Sequence, residues 1–159
     1  MGSRLNINLA YIAGFLDGDG SLMLQVKKRK DGVAKIRFMP TICFYQDSRH
    51  KHTLYWIQKI LGIGYLSQRN DKITELRING YRQVRDILKN LLPYIKFKKV
   101  QAQALYRACT LLSSTKYALF SKRELSFLVS CILDIQRENY VTKRKKTKGE
   151  LFQMLDLTP

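Results

Sequence analysis

The sequence predicts an α+β fold in which helices alternate with β-hairpins and the strands join into one four-stranded antiparallel sheet. Three observations carry that expectation. Apolar residues recur at helical spacing, give way to alternation, and then make the same switch a second time. Glycine-containing turn signals separate the alternating runs. Size is the third: 159 residues with 45% hydrophobic content and no low-complexity linker suit one domain over 1–159. Its core is expected over about 5–137 and a basic tail over 138–159.

In the first helix Leu5, Leu9, Ile12 and Leu16 make an apolar stripe, and Ala10, Gly14 and Gly18, four apart, make a second stripe almost without side chains. Each interior glycine costs about 1 kcal/mol relative to alanine, so two near one helix end imply a compensating gain. Close backbone approach to another helix is such a gain. The chain holds no second copy of the motif, so the partner helix is expected from a second chain across a two-fold axis. Ala10, Ala13, Gly14, Asp17 and Gly18 are the candidate dimer interface. The helix ends in Asp17-Gly18-Asp19-Gly20, two acids alternating with two glycines, where a metal is expected to sit.

Directly afterwards Leu22, Leu24 and Val26 alternate with Met23, Gln25 and Lys27, which reads as a strand, and Asp31-Gly32 is a hairpin turn signal. The return strand puts Ile36, Phe38, Ile42 and Phe44 inward and Lys35, Arg37, Met39, Thr41 and Cys43 outward, with Pro40 expected to interrupt the ladder. Residues 51–61 read as a helix stopped by Gly62. Short strands follow around 64–70 and 73–79, their outward face carrying Ser67, Arg69, Glu75 and Arg77. Helices are expected over 81–91, ended by Pro93, and over 97–112 and 122–135, joined by a Ser-rich bend. The run Lys143 to Lys148 has no apolar period and is expected to stay mobile until it meets phosphate.

Twenty-nine Lys and Arg against twelve Asp and Glu give a net charge of +17, which calls for a polyanionic partner. Nucleic acid is favoured over a membrane, because no apolar run approaches the roughly 18 residues that span a bilayer, and neither a secretory signal nor a myristoylation signal is read at the start. The basic and polar residues of both hairpins fall on one sheet face, a surface suited to a major groove, where Arg or Lys pairs with guanine and Gln with adenine. Gln25, Lys27, Arg29, Arg37, Arg69 and Arg77 are the expected DNA-reading side chains, joined by Lys35, Ser67 and Glu75. Arg49, just past the second strand, is a further basic candidate, with His50 equally near. Double-stranded DNA is thus the expected partner, and no small-molecule substrate is expected.

Other chemistries find little support. Cys43, Cys109 and Cys131 are scattered and odd in number, which reads as buried, reduced thiols in a reducing compartment. His50 and His52 form only His-x-His, too few ligands for zinc. An EF-hand starting at Asp17 would need glycine and glutamate where Leu22 and Lys28 stand. Gly62-Ile63-Gly64 reads as a tight turn rather than a phosphate cradle.

The stretch Ile12-Ala13-Gly14-Phe15-Leu16-Asp17-Gly18-Asp19-Gly20 resembles the signature nonapeptide of the LAGLIDADG homing endonucleases, in the single-motif form that works as a homodimer. The resemblance covers roughly residues 5–112 and implies that family's αββαββα core. It also implies Asp19 as a divalent-metal ligand assisted by the Gly18 carbonyl, with magnesium or manganese as the cofactor. Gln46 would order the nucleophilic water, and Lys98 would stabilise the charged transition state. Asp17 is expected to hydrogen-bond at the packed helix ends rather than bind metal. The implied activity is site-specific, metal-dependent hydrolysis of both strands of a long pseudo-palindromic DNA target. An RNA maturase assisting intron splicing and a catalytically silent DNA-binding regulator remain alternatives on the same fold. Without the resemblance, a basic ribosome-associated RNA-binding protein would also fit.

Overall fold

The change of apolar period after Asp19 is a change of backbone with no loop between. Helix α1 (Gly2–Asp19) runs straight into strand β1 (Gly20–Lys28). Gly20 makes this possible, because a Cβ there would stand 2.5 Å from Leu16 Cδ1 and 2.8 Å from the Leu16 carbonyl oxygen. The structure, a computed structural model, describes residues 2–30 and 35–157. The chain continues through β2 (Ile36–Asp47), a 3-10 turn at Ser48–His50, α2 (His52–Leu61), β3 (Tyr65–Gln68), β4 (Ile73–Asn79) and α3 (Tyr81–Leu91). It ends with α4 (Lys99–Ser114), a 3-10 turn at Tyr117–Leu119, α5 (Lys122–Glu138) and α6 (Lys148–Met154). The expected α+β order is observed, and the strands form one antiparallel sheet in the order β1-β2-β4-β3. The turn expected at Asp31-Gly32 lies outside the described residues.

Strand alternation puts Leu22, Leu24 and Val26 of β1, Phe38, Ile42 and Phe44 of β2, and Leu76 and Ile78 of β4 on one face, all 6% exposed or less. One apolar cluster joins them to Ile12 and Leu16 of α1, Leu54 and Ile57 of α2, Val84 and Leu88 of α3, Leu105 of α4 and Leu128 of α5. Fully burying such a side chain contributes about 1.5–3 kcal/mol, so a one-residue slip of β2, which turns its three apolar anchors outward, is strongly disfavoured. Register is thereby set, and with it the identity of the opposite face. Helix α2 stops at Gly62, which takes the left-handed conformation at φ 70° and donates its N–H to the Gln58 carbonyl.

Three expectations need correction. Pro40 does not interrupt the ladder but pairs with Leu24 inside a continuous β2. Strand β4 meets β2 only from Thr41 onward, so at Pro40 the strand has a neighbour on one side, an edge position that tolerates the missing N–H. Thr41 and Cys43, read as outward, are 4% and 0% exposed. Both lie where β2 is flanked by β1 and β4, so neighbouring side chains cover them. The tail over 138–159 is not featureless, since α6 begins in a capping box between Thr147 and Glu150 and buries Leu151 and Leu155 against the core. The basic run itself is exposed, but Gln136 ties it down by bonding both the N–H and the carbonyl of Lys146.

Candidate active site

The two acids of the motif leave the same helix end and meet different surroundings. The Asp17 carboxylate turns inward and caps α4 from a distant part of the chain. Its Oδ2 accepts the N–H groups of Lys96 at 2.7 Å and Phe97 at 3.1 Å, and its Oδ1 accepts the N–H of Lys98 at 2.9 Å. Lys98, at the N-cap of α4, offers no side-chain cap of its own, so Asp17 fills that role. The sequence leads one to expect Asp17 to hydrogen-bond at the packed helix ends, whereas these bonds run to the start of α4 in its own chain. Asp19 is exposed, and among the described residues its carboxylate has no ion-pair partner.

Lys98 lies in the field of both acids. Its ammonium donates to the Asp17 carbonyl, and burial pulls it below the ordinary lysine range, with the charges of Asp17 and Asp19 opposing that shift. An unpaired carboxylate and a half-buried ammonium therefore share the α1 end. No group of three or more His, Cys, Asp or Glu that would by itself hold a metal lies among the described residues. The donors present, one free carboxylate and the Gly18 carbonyl beside it, are hard oxygens. They suit a cation such as magnesium, which keeps several waters and takes further ligands from substrate phosphates.

Gln46, near the end of β2, is half-buried, and its Oε1 accepts the N–H of Asp47 at 2.8 Å. Its amide nitrogen has no hydrogen-bond partner among the described residues. Arg49 is held by Asp47, with Nε at 3.0 Å and Nη2 at 2.9 Å, while the Arg49 N–H also bonds that carboxylate. Those bonds keep the Asp47 carboxyl well below its usual range. His50 is exposed beside it.

The open sheet face has two zones. Toward the far end of β1 and β2, Lys27 pairs with Arg37 and Gln25 with Met39, while Arg29 and Lys35 flank the mouth of the hairpin. Gln25, Lys27, Arg29, Lys35 and Arg37 are all exposed. Nearer the α1 end the face is a bonded network. Tyr45 shares a hydrogen bond with Ser21, and Glu75 is 4% exposed and held by Arg69 and Arg77. Glu75, expected among the groove-contacting residues, is thus engaged within the chain rather than offered to a partner. Ser67 lies opposite it, half-buried. Burial pushes the Cys43 thiol up to about 11 and the Tyr45 phenol up to about 12, which leaves both protonated at neutral pH.

Sequence reasoning missed Tyr45, Tyr65 and Asn79 on this face; Thr41 donates to Asn79 at 2.8 Å. Period-two counting from Arg77 would have found Asn79. It also missed that the tail borders the sheet, where Gln25 and Lys27 share a cavity of about 310 Å3 with Thr142, Arg144 and Lys146. On α1, Ala10, Gly14 and Gly18 are exposed, and a Cβ at either glycine would meet nothing within 4 Å among the described residues. Ala13 departs from the expected interface: it is 0% exposed inside the chain's own core and has no surface to give a partner.

A family model described as LAGLIDADG endonuclease matches residues 12–109. The chain is 33% identical over 110 residues to the DNA endonuclease I-CvuI of Chlorella vulgaris, covering 69% of this chain and 68% of that protein. It is 28% identical over 108 residues to the DNA endonuclease I-CreI of Chlamydomonas reinhardtii, covering 68% and 66%. The crystal structure of I-CvuI in complex with its target in the presence of calcium aligns with a TM-score of 0.83 at 26% identity, over 96% of this chain and 97% of that one. A second I-CvuI structure, with the I-CreI target and magnesium and its DNA not cleaved, aligns with a TM-score of 0.76 at 27% identity over 98% and 99%.

Proposed function

The chain belongs to the LAGLIDADG endonuclease family, and from that premise we propose that it is a site-specific homing endonuclease. It acts as a homodimer and hydrolyses both strands of a pseudo-palindromic DNA target of roughly two helical turns, about 20 base pairs. The observation that carries this reading is the pairing of roles at the α1 end. Asp17 is consumed in capping α4, and that capping brings Lys98 beside an Asp19 whose carboxylate is left unpaired. A silent DNA-binding descendant has no need of a free acid beside a half-buried ammonium.

Asp19 and the Gly18 carbonyl are the residues that would hold magnesium or manganese, and the donor set fits such a hard cation. When bound, the metal polarises the scissile phosphate and makes its water more acidic. The chain supplies the rest. Lys98 sets a fixed positive charge where negative charge builds on the phosphoryl oxygens, and its half-buried position strengthens that interaction over one in bulk water. Gln46, with Oε1 already engaged, presents its amide N–H groups to hold a water in line. The cationic zone of Gln25, Lys27, Arg29, Lys35 and Arg37 and the basic run of the tail take the backbone and groove of the duplex. Two-fold symmetry sets one such site over each strand.

The test is to incubate the purified protein with a randomised duplex library and magnesium and to sequence the free ends. Paired breaks at one recurring sequence are the expected outcome. A protein that binds duplex DNA yet never produces double-strand ends with magnesium or manganese would sink the reading.

A further inference from the structure

Glu75 stands centrally on the open face, opposite Tyr45 on one side and Ser67 on the other. Burial alone would raise its carboxyl, but hydrogen bonds from Arg77 and Arg69 more than reverse this and hold it below the ordinary carboxylate range. It is therefore a buried anion whose two oxygens are shared out. Oε2 accepts Arg77 Nε at 2.6 Å, and Oε1 accepts Arg69 Nη1 at 3.1 Å.

The division leaves the two guanidiniums unlike. Arg77 uses only Nε, so its end-on edge, Nη1 with Nη2, has no partner among the described residues. Arg69 has Nη1 on Glu75 and Nη2 on Asp71 at 2.8 Å. Neither its end-on edge nor its Nε and Nη2 edge has both nitrogens free. Bidentate recognition of guanine needs two adjacent donors, one for O6 and one for N7. Lifting both arginines from Glu75 would strand a buried carboxylate, a penalty larger than one bidentate base contact returns. Using the free edge of Arg77 strands nothing. Its rotamer is also already restricted by Glu75, so less freedom is lost on binding.

We propose that Arg77, and not Arg69, reads one guanine per half-site in the major groove, with Glu75 as the positioning residue that aims its edge and Arg69 as a brace that stays on Glu75. This rests on the DNA-endonuclease reading above. Asp71 belongs to the same device, because its bond engages Nη2, the second terminal nitrogen of Arg69. The recognised group is the O6 and N7 pair of guanine, which no other base presents in the major groove.

The test is selection of bound sequences from a randomised duplex pool in calcium buffer, using the full chain, followed by addition of magnesium to the selected duplexes. The wild type is expected to enrich guanine at one position in each half-site. Arg77→Gln keeps a polar side chain but replaces the two-donor edge with an amide that pairs with adenine, and is expected to reduce that preference about 10-fold or more with the other positions unchanged. Glu75→Gln is expected to weaken the same position and no other, a pattern that general loss of structure would not produce. Arg69→Gln should leave the guanine preference within about twofold. The proposal is overturned if Arg77→Gln retains the preference, or if Arg69→Gln erases it. A wild-type pool with no enriched sequence, or selected duplexes left uncut by magnesium, would overturn the endonuclease reading itself. Magnesium-dependent cutting of selected duplexes that lack an Arg77-dependent guanine overturns this proposal alone.

Discussion

Exchanging the two motif acids one at a time separates structure from chemistry. Asp17 holds three backbone N–H groups at the start of α4. One such cap is worth about 0.5–2 kcal/mol, and a hydrogen bond to a charged group about 1.5–3 kcal/mol. Two of the three bonds face solvent, where water replaces part of what is lost. Asp17→Ala is therefore expected to cost roughly 2–3 kcal/mol rather than the sum of three bonds. For a chain of this size that lowers Tm by about 5–10 °C. Asp17→Asn keeps one acceptor oxygen and should lose about 1 kcal/mol. Asp19 has no ion pair among the described residues to lose, so Asp19→Asn should shift stability by no more than about 0.5 kcal/mol while abolishing cleavage. Circular-dichroism melts in metal-free buffer, paired with cleavage of a target duplex in magnesium, read both quantities. An Asp17→Ala protein that melts with the wild type, or an Asp19→Asn protein that still cuts, refutes the division of labour.

Further outcomes follow from the same geometry. Gly20→Ala should destabilise by about 1–3 kcal/mol, because the added Cβ meets the Leu16 backbone as well as its flexible side chain; Gly14→Ala should raise monomer stability by up to about 1 kcal/mol yet weaken self-association in sedimentation. Cleavage should decline on the alkaline side at a lower pH than an ordinary lysine allows, because burial depresses Lys98, and Lys98→Arg, if active, should extend activity upward in a pH–rate profile. The sign for stability is separate: a depressed lysine means the unfolded chain binds more protons, so the Lys98 contribution improves as pH rises from its folded toward its unfolded value. Replacing Lys143, Arg144 and Lys145 with Gln should flatten the salt dependence of DNA binding by up to about 0.9 log-log units per lost phosphate contact, and melts should be unchanged because these side chains are exposed.

Elements with strong periodicity were legible in the sequence. Helix 81–91 and the strand around 73–79 coincide with α3 and β4, because one face of each is apolar and a glycine or proline stands at the boundary. What the period does not encode is which strand lies in the middle. Thr41 and Cys43 alternate outward like Arg37, but β2 has neighbours on both sides only from Thr41 onward, so the same parity is exposed at one end and buried at the other. The tail was misjudged for a different reason. Its basic run masks a capping signal, Thr147 with Glu150, whose weight becomes visible only once Leu151 and Leu155 have a core to enter. In the site, the proximity of Asp19 and Lys98 followed from the family resemblance rather than from spacing, since 79 positions separate them. The clamp of Glu75 by two arginines was open to a reader counting by twos, yet charge alone read it as three groove-facing groups.

The glycines of the motif answer to two different neighbours. Gly20 is required from within, since Leu16 fills the space a side chain would need, and that contact lets α1 end and β1 begin without a loop. The direct junction matters for the chemistry because it leaves Asp19 as the last helical residue, at the border of the open sheet face. Gly14 and Gly18 are different: a Cβ at either would meet nothing within 4 Å among the described residues. Gly14, in the helix interior, still costs about 1 kcal/mol against alanine. Packing inside the monomer therefore gives no reason for these two residues, whereas a second helix backbone laid against Ala10, Gly14 and Gly18 gives one. The same seam that accounts for the glycines would bring two Asp19 carboxylates close together, so the dimer and the two-strand reaction stand or fall on one physical feature.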